Sequence, residues 1–313
     1  MNGVITILND FYEKLDELYG LGDLPAVEIF ITDAVRTAEK NSPEQAGLIN
    51  ELASFYRGLS RFAESEEAFK RSLDIFESAG MGDTQEYATV LINLAGLYRI
   101  AGNTDKALDL FRVSMKKLEA AGASDSYAYV SLLNNISLAY QNKGEPQQAL
   151  GYAEKALNLM RSSENNEHEI ATSLNNLAAI HLRLGQLAEA DELVTEALEL
   201  YASMPQVNVH HAAALTTKSV ILYHMGKYRE SLDGFRRCLE LTKHFFGENI
   251  EYAVCLRNIS KNLVKLGDIA SAVGELSRAT EIMALIHGSE HETVIAVKAE
   301  LKELEKILTS AET

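Results

Sequence analysis

Glycine returns at a near-fixed interval through most of this chain. Gly102, Gly144, Gly185, Gly226 and Gly267 are 42, 41, 41 and 41 residues apart. The setting repeats with the glycine. Asn93-Leu94-Ala95 leads through Tyr98 to Gly102 and Ala107, and Asn135-Ile136-Ser137 leads through Tyr140 to Gly144 and Ala149. A glycine between two apolar-periodic stretches closes one helix and releases the chain into the next. A period of roughly 20–50 residues marks units that bury their apolar faces only by stacking on neighbours. The expected fold is therefore all-α: a solenoid of seven helix-turn-helix repeats plus a C-terminal capping helix. The repeats fall at about 3–41, 44–83, 86–125, 128–167, 169–206, 210–249 and 251–290, and the cap at 291–309. Together they make a single domain over 1–313.

Alignment of the repeats turns single residues into columns. One column is small: Ala53, Ala95, Ser137, Ala178, Ser219, Ser260. A second, in the second helices, is also small: Ser72, Ser114, Ala156, Ala197, Cys238, Ala279. Small residues at these places let two helix backbones approach closely, and bulky ones would overpack them. A third column is large: Tyr56, Tyr98, Tyr140, His181, Leu222, Leu263. A fourth opens each first helix: Tyr87, Tyr129, Ile170, His211, Tyr252. In the last segment, Val294, Val297, Leu301, Leu304 and Leu308 form one apolar stripe with a charged back, as a terminal cap requires.

Ala95, Tyr98, Gly102, Ala107 and Phe111 together resemble the tetratricopeptide repeat. The likeness covers about residues 10–290. The spacing exceeds the usual repeat of about 34 residues. With joints such as His287-Gly-Ser-Glu-His291, it looks like the kinesin-light-chain subtype. The resemblance implies a right-handed superhelix, with a protein or peptide ligand in a concave groove lined by the first helix of each repeat.

Composition narrows the remaining classes. Asp and Glu outnumber Lys and Arg by 45 to 29, a formal charge of −16, which argues against nonspecific nucleic-acid binding. Met1 to Leu8 lacks a basic stretch, so no signal peptide is expected, and no run is long enough for a membrane span. Cys238 and Cys255 fit a reducing compartment and read as core thiols. A cytoplasmic location is expected. No nucleophile–base pair, phosphate loop or recurring carboxylate pair is present, so neither an enzyme nor a cofactor is expected. The histidines invite a metal reading, but His181 and His211 stand in columns filled elsewhere by Tyr. Gly288-Ser289 separates His287 from His291, which argues against two ligands on one helical face.

Two patterns point to where a partner would sit. Asn93, Asn135, Asn176 and Asn258 share one first-helix column, with Thr217 in the sixth repeat, and Asn134 and Asn175 precede two of them. An amide both donates and accepts, so it can hold an extended peptide backbone without reading its sequence. The same bonds could instead knit adjacent first helices together. The second pattern is charge. The first-helix stretches 88–101, 130–143, 171–184, 212–225 and 253–266 hold no Asp or Glu but do hold Arg99, Lys143, Arg183, Lys218, Arg257, Lys261 and Lys265. The last three step by four along one helical face. The expected groove residues are thus the five asparagines at 93, 134, 135, 175 and 176, together with Arg99, Arg183, Tyr223, Arg257, Asn258, Lys261 and Lys265. The expected role is a non-enzymatic adaptor for a protein or peptide segment with acidic residues or a free carboxylate. A regulatory peptide sensor and an accessory subunit of an enzyme complex are the alternatives.

Overall fold

The computed structural model describes residues 2–161, 166–204 and 209–311, so the end assigned to the fifth repeat at 206 lies outside it. It is a helical-repeat solenoid. Seven hairpins follow one another: α1 and α2 (Asn2–Leu21, Leu24–Thr37), α3 and α4 (Pro43–Gly58, Phe62–Ser78), α5 and α6 (Gln85–Ile100, Thr104–Ala120), α7 and α8 (Tyr127–Asn142, Pro146–Arg161). Then come α9 and α10 (Glu167–Arg183, Leu187–Ser203), α11 and α12 (Val209–His224, Tyr228–Phe246), α13 and α14 (Ile250–Leu266, Ile269–His287), and finally α15 (Glu292–Ala311). No strand occurs among the described residues. The chain divides into two compact units, residues 1–180 and 181–313.

The turn between the two helices of a hairpin is built the same way in six of the seven hairpins. The large-column carbonyl accepts from the N–H five residues on: Tyr56 from Arg61, Tyr98 from Asn103, Tyr140 from Glu145, His181 from Gln186, Leu222 from Lys227 and Leu263 from Asp268, all at 2.8–2.9 Å. This is the bond that closes a helix whose next residue is left-handed. Gly102, Gly144, Gly185, Gly226 and Gly267 supply that residue with φ between +74° and +86°. Ser60 occupies the position in the second hairpin at φ +59°, a conformation that disfavours a side chain. The first helices start on caps. Ser42, Thr84, Ser126 and Asn249 accept from the amides of Gln45, Tyr87, Tyr129 and Tyr252.

Both small columns are at the closest contacts. Every member of the first is at most 1 % exposed. At three of these contacts a serine hydroxyl reaches across to the facing backbone. Ser65 donates to the Ala53 carbonyl, Ser231 to that of Ser219 and Ser260 to that of Ala272, each at 2.7 Å and twelve residues apart. In the second column Ser72 donates to Ala46 O at 2.7 Å, and the Cys238 thiol points at Ala212 O at 3.4 Å.

In the first unit the core runs without interruption from Phe11 to Met160. In the second, one cluster gathers Phe235, Cys238, Cys255 and Ile259, and another joins α13 and α14 to Val294 and Val297 of α15. Both valines are fully buried, and Leu301 and Leu304 pack partly buried beside them. Lys298, Lys302 and Glu303 are exposed.

The second unit holds one unusually tight approach. A Cβ on Gly234 of α12 would lie 2.2 Å from the hydroxyl of Ser219 of α11. That hydroxyl is committed to the Leu215 carbonyl at 2.7 Å. Gly234→Ala should therefore destabilise by about 1–3 kcal/mol from overpacking, despite alanine's advantage of roughly 0.5–1 kcal/mol in a helix interior. Ser219→Ala in the same chain should restore most of the loss. Urea unfolding of the two single variants and the double variant tests this, and a stabilised Gly234→Ala protein would refute it.

Acid should loosen the last joint. The rings of His287 and His291 stack at 4.6 Å, and His291 Nδ1 accepts from the Thr293 N–H at 3.3 Å at the start of α15. Burial, and then the neighbouring His291, hold the His287 pKa below the ordinary imidazole value. A lowered folded-state pKa means that the unfolded chain takes up the proton first as pH falls. Stability should thus decline as pH drops from about 7.5 through the ordinary histidine value of about 6.5. His287→Gln should flatten that decline in thermal melts. An unchanged slope would place the pH dependence elsewhere.

Candidate functional site

In the first unit a row of polar side chains lies on one face of the first helices. α3 supplies Asn50, Glu51 and Arg57, α5 Asn93 and Gly96, α7 Asn134, Asn135 and Gln141, and α9 Ser173, Asn175 and Asn176. These helices touch one another, and some of the bonds between them use the amides themselves. Asn93 Nδ2 donates to Asn50 Oδ1 at 3.0 Å. Arg57 reaches from α3 to the Asn93 carbonyl at 3.2 Å. Asn134, buried, donates to the Ser173 hydroxyl at 3.2 Å. Asn93 and Asn134 therefore hold adjacent first helices together.

The other amides are differently placed. Asn135 is half-buried, and its Nδ2 turns back to the Ser131 carbonyl at 3.0 Å. Its Oδ1 lies 3.7 Å from where a Cβ on Gly96 would be, and Arg57 lies 3.1 Å from the same point. Gly96 thus makes room for both side chains. Asn175 Oδ1 and Asn176 Nδ2 have no hydrogen-bond partner, and Asn176 is only 5 % exposed. A buried amide left unpaired costs about 1–3 kcal/mol. The Nε2 of Gln141, also buried, is in the same condition.

One end of this face carries a carboxylate. Glu51 Oε1 accepts from Tyr12 Oη at 3.4 Å and from Asn50 Nδ2 at 3.3 Å. Burial pushes its pKa above the usual carboxylate value. Burial likewise raises the phenol of Tyr12, with Glu51 adding to the effect.

In the second unit the basic stripe is less open than its spacing suggests. Arg257 is tied to Glu300 of α15 by two bonds, Nε to Oε2 at 2.9 Å and a second to Oε1. Arg257 in turn holds the Glu300 carboxyl below its usual range. Lys261 and Lys265 are exposed. Shielding of the Lys261 ammonium, and then the Arg257 charge beside it, push its pKa down. Asn258 is half-buried, and its carbonyl accepts from Asn262 Nδ2 at 2.9 Å. Arg183 is exposed at the end of α9. Tyr223 is half-buried, edge-on to Tyr228 at 5.3 Å.

Other first-helix cations are also engaged. Lys143 pairs with Asp105 at 3.0 Å, and Lys218 with Asp191 and, at 2.9 Å, Thr195. The acid-free stretches are likewise narrower than the helices that contain them. α5 includes Glu86, α9 includes Glu167 and Glu169, and α13 includes Glu251. All four stand in a first turn, where a carboxylate complements the helix N-terminus.

The sequence carried a signal for part of what its reading passed over. Arg57, Arg99 and Gln141 are 42 residues apart in one column, which reaches Tyr223 two repeats later. Gly96 sits inside a helix, where glycine is costly and so marks a close approach. Among the described residues no group of three or more His, Cys, Asp or Glu is placed to hold a metal ion. No described helix is long and apolar enough to cross a membrane.

Comparison with known proteins follows the same lines. NprR in complex with its cognate peptide NprX is similar over 97 % of this chain and 87 % of its own, at 14 % identity and a TM-score of 0.63. A Rap protein complexed with competence and sporulation factor is similar over 99 % of each chain, at 15 % identity and a TM-score of 0.58. BtubC from P. vanneervenii aligns over 76 % of this chain and 94 % of its own, at 19 % identity and a TM-score of 0.51. At these identities the likeness is one of fold. No curated protein matches the chain by sequence. The tetratricopeptide-repeat family model matches residues 44–120, 129–203 and 211–293. With most of its length matched and the turn, small-residue and large-residue columns recurring in its hairpins, this chain belongs to the tetratricopeptide-repeat family.

Proposed function

We propose that the protein is a non-enzymatic adaptor whose first-helix face holds an extended peptide segment of a partner protein. The observation that carries this is the unequal use of the amides. Asn93 and Asn134 are spent on neighbouring helices, whereas Asn175 Oδ1 and Asn176 Nδ2 are unpaired. Both atoms are closed off in the free protein, so a peptide backbone, which offers a donor and an acceptor at every residue, satisfies them as the two amides turn outward. A peptide rather than a folded partner is favoured because NprR, similar in fold over 97 % of this chain, was solved in complex with its cognate peptide. For the second unit the proposed ligand feature is acidic. Lys261 and Lys265 are exposed on one face of α13, and a carboxylate beside Lys261 would offset the repulsion from Arg257. The location that goes with this role is cytoplasmic.

The two kinds of asparagine should separate on substitution. Asn93→Ala should lose about 0.5–1.5 kcal/mol of stability with its inter-helix bond. Asn176→Ala should leave stability nearly unchanged and weaken binding of a peptide selected from a random-sequence library. Ala178→Leu, at a fully buried contact, should destabilise by about 1–3 kcal/mol. If Asn176→Ala melts as early as Ala178→Leu, that amide is part of the framework and the peptide site is not there.

Charge reversal tests the acidic preference separately. Lys261→Glu with Lys265→Glu should weaken an acidic library peptide by about tenfold, since each exposed pair contributes up to about 1 kcal/mol. Added salt should weaken the unmodified protein in the same direction. Equal affinities with no salt dependence would remove this face from recognition.

A further inference from the structure

Cys238 lies in α12, the second helix of the sixth hairpin, and Cys255 in α13, the first helix of the seventh. Both are 2 % exposed, and their sulfur atoms are 3.1 Å apart. The contact is part of the repeat framework. The positions aligned with this pair are Ser72 and Val90, Ser114 and Leu132, Ala156 and Ser173, and Ala197 and Ala214. Only at this joint are both residues cysteine, where the framework elsewhere is satisfied by small or apolar side chains. The two thiols therefore meet at a backbone approach that the fold makes anyway. We propose that Cys238 and Cys255 are a peroxide-sensitive dithiol that closes to a reversible disulfide and pins α12 to α13.

A disulfide needs an S–S distance of about 2.05 Å, so the sulfurs must close by roughly 1 Å, a rotation of two short side chains. The neighbours decide which sulfur reacts first. Cys238 is contacted by Thr216 Oγ1 at 2.9 Å and by Thr242 Oγ1 at 3.8 Å. The Cys255 thiol, and then the two hydroxyls, stabilise its thiolate against the cost of burial and pull its pKa down to about 7. The same hydrogen bond, together with burial, pushes Cys255 up. Cys238 is thus the nucleophile and Cys255 the resolving thiol.

In the first step the Cys238 thiolate attacks one oxygen of hydrogen peroxide. An S–O bond forms, the O–O bond breaks, and the departing hydroxide takes up the proton that Cys238 released, giving water. In the second, the Cys255 sulfur attacks the Cys238 sulfenic acid. The S–S bond forms, the S–O bond breaks, and the leaving hydroxide takes the Cys255 proton as a second water. Two thiols are oxidised by two electrons in all, and peroxide is reduced to two waters. Burial favours this oxidant, because a water-sized peroxide reaches a packed joint more readily than a bulky disulfide. The crosslink closes a loop whose ends are 17 residues apart and restrains α13, the helix that carries Lys261 and Lys265.

The test treats the full chain with hydrogen peroxide and, in parallel, with oxidised glutathione. Intact mass and alkylation under denaturing conditions are read, followed by thermal melting. Peroxide should lower the mass by 2 Da relative to the reduced chain, remove both alkylatable thiols, leave the chain monomeric on a non-reducing gel and raise Tm by several degrees; dithiothreitol should reverse all four. Oxidised glutathione should act more slowly. Cys255→Ala, which copies Ala214 at the aligned position, should instead stop at a sulfenic acid trapped by dimedone. A gain of 16 or 32 Da without loss of 2 Da, a crosslinked dimer, or thiols untouched by peroxide would each overturn the proposal. An internal disulfide that leaves Tm unchanged would overturn the clamp.

Discussion

The contact on which everything else rests is the close approach of paired helices at their small residues. A hydroxyl can span that gap to a backbone carbonyl only if the helix axes are near. Ser65, Ser231 and Ser260 do so at the same distance and the same twelve-residue separation, although Ser260 donates from the opposite helix. The geometry is therefore a property of the backbones, and either side chain can exploit it. Each bond contributes about 0.5–1.5 kcal/mol. Where both positions are alanine, as at Ala95 with Ala107, burial alone fills the contact. Because a repeat contacts chiefly its neighbours, the same small stabilisation is added hairpin by hairpin.

That repetition is why the fold could be read from the chain. Each turn demands a residue that tolerates left-handed φ, and glycine marks it at 41–42 residue steps. The large residue four positions before the glycine is legible for a second reason, since its carbonyl closes the helix in six hairpins. Ser60 shows the limit of composition. It adopts the same conformation without being glycine, so only its place in the column identifies the turn. Helix starts were less legible than helix ends. The acid-free stretches exclude Glu86 and Glu251, yet these belong to the helices, because the first turn is solvated and favours carboxylates on electrostatic grounds.

The polar face was legible in position but not in role. An asparagine in a repeating column has the same identity whether it bonds to a neighbour or waits for a ligand. Asn93, in the column of Asn176, and Asn134, one position before that column, each find a partner on the adjacent first helix, Asn50 Oδ1 in one case and Ser173 Oγ in the other. Those partners lie 43 and 39 residues away, off the repeat period on either side, so column alignment does not pair them. The ion pair of Arg257 was hidden for a related reason. Glu300 belongs to α15, the segment that follows the last repeat and has no column of its own.

The cap helix therefore does more than cover an apolar edge. Val294 and Val297 close the core against α13 and α14, and Glu300 takes one of three cations that α13 would otherwise present together. Three like charges at four-residue spacing repel one another along a helix. Neutralising the first leaves Lys261 beside a guanidinium whose charge is matched, yet its own pKa remains depressed by shielding and by that neighbour. Two requirements thus meet on α13. Its inward side must pack against α12 through Cys255 and Ile259, while its outward side keeps Lys261 and Lys265 exposed. Packing fixes the first and leaves the second free, because an exposed lysine costs the core nothing. Substitutions can therefore accumulate on the outward face of a first helix without disturbing the columns that hold the array together.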